Sequence, residues 1–123
     1  MTVSVSFEEG NLVVIRGSGE LKRDEVDQTK RQIYNYILAN GPIYMLILID
    51  EAFKSFEAFA SWEDIEEDAV IQPNVKRLAL VGDLRWRDQA LLFLITAVAS
   101  FQIEYFKPEQ EEFARVWLLA SAG

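Results

Sequence analysis

A chain of 123 residues, half of them apolar, has enough material for one hydrophobic core but not for a second, and it is too apolar to stay disordered. It holds no cysteine and no histidine, which removes disulfides, zinc sites built on thiolate or imidazole, and the usual general base of Ser and Cys hydrolases. Twelve basic against twenty acidic side chains leave a formal charge of -8 that repels nucleic-acid phosphates and anionic headgroups, and the basic residues come as scattered doublets, so no nucleic-acid partner is expected.

Thr2 to Phe7 alternates polar and apolar, the period of a half-buried edge strand with Val3, Val5 and Phe7 inward. Glu8 to Asn11 supplies turn chemistry and Leu12 to Ile15 is a second apolar run, which predicts an antiparallel hairpin. Gly17-Ser18-Gly19 reads as a strand exit, because the rest of a dinucleotide-binding fingerprint is missing. Asp24 is placed to cap a helix running to about Asn40, stopped by Gly41-Pro42. Val26, Thr29, Ile33 and Ile37 share its buried face, while Lys30, Arg31 and Asn35 point elsewhere.

Ile43 to Asp50 then carries seven apolar residues without a break, rich in β-branched types and too short to cross a membrane. It reads as an inner strand covered on both faces, parallel to the one before the helix, with Asp50 at its carboxyl end. A loop with Phe53 and Phe56 leads to a helix over about 57–71 whose buried stripe is Ala58, Trp62, Ile65 and Ala69. The acidic residues on its other side lack any calcium-loop spacing, so no metal is expected there. Val75 to Val81 is the fourth strand, and Asp83 is placed to cap the next helix.

From Ala90 to Ala99 that helix is apolar all round except for Thr96. A helix without a polar face has to be covered on every side, by its own domain or by something else. Gln102 to Phe106 is the fifth strand. Pro108, followed by Glu109, Glu111 and Glu112, starts a final helix that Phe113, Val116, Trp117 and Ala120 are expected to dock. The start of the chain lacks the basic and apolar regions of a signal peptide, so a cytoplasmic location without stable membrane insertion is expected, transient membrane contact aside. The fold expected is α/β, one domain over residues 1–123, with an antiparallel hairpin leading into a mostly parallel five-stranded sheet and four helices.

Two local patterns, Phe53-Lys54-Ser55-Phe56 leading to Trp62-Glu63-Asp64, and Val81-Gly82-Asp83-Leu84-Arg85-Trp86, resemble the bacterial SpoIIAA-like family. Its fold is of the STAS type and is also compared with CRAL-TRIO lipid-exchange domains. The resemblance covers nearly the whole chain. It implies a non-catalytic module that binds partner proteins, or apolar and lipid-like molecules, without a cofactor. Some STAS proteins are phosphorylated at the start of the helix after the third strand. The Asp-Ser-Ser-Gly pattern of those proteins is missing here, Ser55 lies ahead of the helix, and no phosphoswitch is carried over.

With parallel strands, Gly17, Asp50 and Gly82-Asp83 fall on one carboxyl edge of the sheet, near Ser55 and Arg85. This polar cluster can hold a small ligand or serve acid-base chemistry, but Asp83 as a helix cap, Arg85 paired with a neighbouring carboxylate and Asp50 satisfying loop amides account for it more simply. Binding of a protein partner or an apolar ligand is expected instead through Trp86, Leu91, Leu92, Leu94, Ile95 and Val98, with Phe53 and Phe56 as the other wall. A homodimer would use the same surface.

Overall fold

The computed structural model describes residues 3–19, 22–50, 72–83, 85 and 102–120. Five strands, β1 (Val3–Glu8), β2 (Leu12–Gly17), β3 (Ile43–Ile49), β4 (Val75–Val81) and β5 (Gln102–Phe106), form one sheet in that spatial order. β1 and β2 are antiparallel, and every later pair is parallel. Two helices are described, α1 (Arg23–Asn40) and α2 (Glu111–Leu119). The other two expected helices, over 57–71 and 84–99, lie outside the described residues except for Arg85.

All seven residues of β3 are buried, as an apolar run without a polar break requires. Ile43, Met45, Ile47 and Ile49 point to the layer of α1, where they meet Ile33 and Ile37. Tyr44, Leu46 and Leu48 point the opposite way, toward Ala114 and Leu118 of α2. The period of two along the strand thus builds two cores, one on each face. In β4 the alternation slips, since Ile43 pairs with Val75 but Met45 pairs with Leu78. The extra residue in β4 keeps Val75 and Leu78 on one face and leaves Lys76 exposed and Arg77 half-buried between them.

Helix α1 begins two residues earlier than Asp24 as its cap would place it. Its N-cap is Lys22, which makes no side-chain capping bond, and Asp24 and Glu25 sit in the first turn, where carboxylates offset the positive end of the helix dipole. Gly41, at φ +88°, closes the other end by donating its N–H to Ile37 O at 2.8 Å. Lys30 does not point away from the core: it is completely buried. Residues seven apart on a helix lie only about 20° apart around its axis, so Lys30 shares the face of Ile37.

Asn11 ties the hairpin to both α1 and β3. At φ +58° it turns the chain into β2, and its amide donates to Asn40 O at 3.3 Å and Pro42 O at 3.2 Å. Its side-chain oxygen accepts from the Tyr36 hydroxyl at 3.3 Å, and its carbonyl accepts from Tyr44 N–H at 2.9 Å. One turn residue therefore holds the end of α1 and the start of β3 in place.

Pro108 opens a 3-10 turn, Pro108–Gln110, and α2 proper starts at Glu111. The docking face of α2 differs from the expected one. Ala114 and Leu118 are buried, Trp117 is half-buried, and Phe113, Val116 and Ala120 are exposed. The rotation follows from Arg77, whose Nη1 donates to Trp117 O at 2.7 Å while its guanidinium lies 4.7 Å from the centre of the Trp117 ring. Small Ala114 is thereby brought down on the sheet, and Phe113, about 100° away around the axis, turns out to solvent.

Candidate functional site

The sheet ends in a cleft of about 450 Å³ at the carboxyl ends of β2, β3 and β4, where open parallel sheets keep their ligands. Its floor is apolar and comes from Leu48, Ile49 and Val81, all buried. Arg16, Ser18, Asp50, Asp83 and Glu111 stand around this floor, and Pro108 closes one end. The parallel ladder sets this arrangement directly, because Gly17 pairs with Ile49 and Leu48 pairs with Val81, so the three strands end level.

Backbone hydrogen bonds hold the rim. Asp50 N–H donates to Gly17 O at 3.2 Å, and Gly82 N–H donates to Phe106 O at 3.0 Å. Asp83 is fixed twice. Its carboxylate Oδ1 accepts from Arg85 N–H at 2.9 Å, a local bond to the backbone two residues on, and its carbonyl accepts from the Tyr105 hydroxyl. Burial pushes the Tyr105 phenol up to about 12, and the negative charge of Asp83 adds to the shift. The phenol is therefore a fixed donor at neutral pH. Glu111 receives Arg115 Nε at 3.4 Å, and the same guanidinium reaches Glu8 at 2.9 Å, so the α2 side of the cleft is also braced.

Of the residues singled out in the sequence, Asp50 and Asp83 meet on this rim, and Arg85 is exposed beside Asp83. Ser55, Phe53, Phe56, Trp86, Leu91, Leu92, Leu94, Ile95 and Val98 lie outside the described residues. Sequence reasoning missed Arg16, Pro108 and Glu111 as lining residues and Tyr105 as the brace. Arg16 was in reach: β2 runs through it to Gly17, and a charged residue at the end of a buried strand is a signal in itself.

An apolar floor ringed by charges of both signs is the lining of a site for a small molecule or a side chain. Asp83 already spends its carboxylate on the backbone, and among the described residues no three acidic side chains come together to hold a metal ion. No described helix is long and apolar enough to cross a membrane. Compared with known families, the chain is similar over residues 12–119 to the family described as SpoIIAA-like. No curated protein matches it.

Proposed function

The chain belongs to the SpoIIAA-like family, and we propose that it is a non-enzymatic binding module whose cleft takes an apolar or lipid-like group. The observation that carries this reading is the floor of Leu48, Ile49 and Val81 beneath the charged rim. An apolar body would rest on the floor, and a polar head would meet Arg16, Asp50 or Asp83. The chain leaves the rim at Asp50 and at Asp83 into the two segments that carry Phe53 and Phe56, and Trp86 with Leu91, Leu92, Leu94, Ile95 and Val98. Those residues are the proposed remainder of the binding surface, whether the apolar group is free or belongs to a protein partner.

The test uses a fluorescent amphiphile, anilinonaphthalene sulfonate, together with native mass spectrometry of protein purified from cells. The wild type enhances the dye's emission or carries an apolar adduct. Ser18→Trp, which fills the cleft from its half-buried rim, removes both without lowering the unfolding midpoint. Equal binding by wild type and Ser18→Trp, or none by either, would overturn the reading.

A further inference from the structure

Helix α2 carries its own apolar surface, away from the cleft. Phe113 is 69% exposed, Val116 67% and Leu119 39%, and Ala120 at the C-cap is exposed as well. Their spacing of three, six and seven residues sets them side by side on the face opposite Ala114 and Leu118. Isolated exposed apolar residues are ordinary, but a contiguous stripe along a helix marks a contact surface.

Charge decides what fits it. Glu112 lies within the stripe and is exposed, and exposed Glu109 precedes it. The sole cation of α2, Arg115, is held by Glu8 and Glu111 on the flank of the helix. A second copy packed about a two-fold axis would bring its own Glu109 and Glu112 into the same interface, where the stripe offers them no cation, and each copy brings a charge of -8. An anionic membrane is repelled on the same grounds. A helix with an apolar stripe flanked by Lys or Arg satisfies both features at once, by packing on Phe113 and Val116 and pairing with Glu109 and Glu112.

We propose that the outward face of α2, built on Phe113, Val116, Leu119 and Glu112, docks a cationic amphipathic helix of a protein partner. This surface is separate from the cleft and stands or falls independently of the binding reading given for it.

The test titrates the intact protein with a dye-labelled synthetic helix of Leu and Lys in helical period, followed by anisotropy, with a Leu/Glu helix as control. The wild type binds the Leu/Lys helix, binding weakens with salt, and the Leu/Glu helix does not compete. Phe113→Ser combined with Val116→Ser changes no charge and alters only exposed positions. It lowers affinity by roughly tenfold or more, as loss of central contact residues does. Glu112→Lys, an independent variant, weakens binding and flattens its salt dependence. Binding by the double variant as tight as that of wild type, no binding by wild type, or a wild-type dimer in sedimentation that the double variant dissolves would each overturn the proposal.

Discussion

A Cβ placed on Gly82 would stand 2.3 Å from Ile49 Cγ1 and 2.7 Å from its Cδ1. Gly82 follows β4 directly and Ile49 ends β3, so the last turn of the cleft floor is packed side chain against bare backbone. The Tyr105 hydroxyl closes the third side at 3.3 Å. An alanine here has to push a core isoleucine aside.

Gly82→Ala is therefore expected to cost about 1–3 kcal/mol, the range for overpacking a filled site. Urea unfolding measures it. The cause is separable, because Ile49→Ala in the same background removes both clashing atoms, Cγ1 and Cδ1. The double variant should be less destabilised than the two single losses added together. Strict additivity would show that Ile49 is not what excludes the methyl group.

The Tyr105 hydroxyl gives the fold a distinct response to high pH. Its phenol titrates at about 12 in the folded chain against an ordinary 10.0. The folded form thus keeps its proton where the unfolded form has begun to lose it. The contribution of Tyr105 to stability is complete below pH 10 and is lost as pH rises through 12. Tyrosinate absorbance followed against pH should show one phenol titrating late, and Tyr105→Phe should remove it. The same substitution should flatten the fall in unfolding midpoint between pH 10 and 12. A late phenol that persists in Tyr105→Phe would assign the effect to another tyrosine.

How far these relationships can be read before the fold is known depends on their distance along the chain. Seven apolar residues in a row leave no choice for β3, and Gly41-Pro42 ends α1 where the signals say it ends. The bond from Arg85 N–H to the Asp83 carboxylate spans two residues and is local chemistry. The burial of Lys30 was legible as well, from its spacing of seven to Ile37, once a lysine is allowed on an apolar face. Gly82 and Ile49 meet only because β3 and β4 lie side by side, and neither residue type signals the contact. Arg16 lies just past the apolar run that stops at Ile15, and its signal, a charge at the end of a buried strand, was passed over although the ladder continues through it to Gly17.

The facing of α2 is the clearest case of a choice made from outside the helix. Phe113, Val116, Trp117, Leu118 and Leu119 surround nearly its whole circumference, so periodicity alone offers several equally apolar faces. Arg77, 40 residues upstream, selects one of them through Trp117. Only a planar guanidinium can lie on the indole and donate to the carbonyl together, so lysine is not an equivalent. Arg77→Lys is expected to cost about 1 kcal/mol from the weakened stacking and hydrogen bond, and Arg77→Ala somewhat more. Hydrogen exchange gives the sharper reading. Amides of α2 should exchange faster in both variants, while those of β3, secured by its ladder, stay protected. Equal acceleration in β3 and α2 would mean that Arg77 supports the fold as a whole and does not set the helix's rotation.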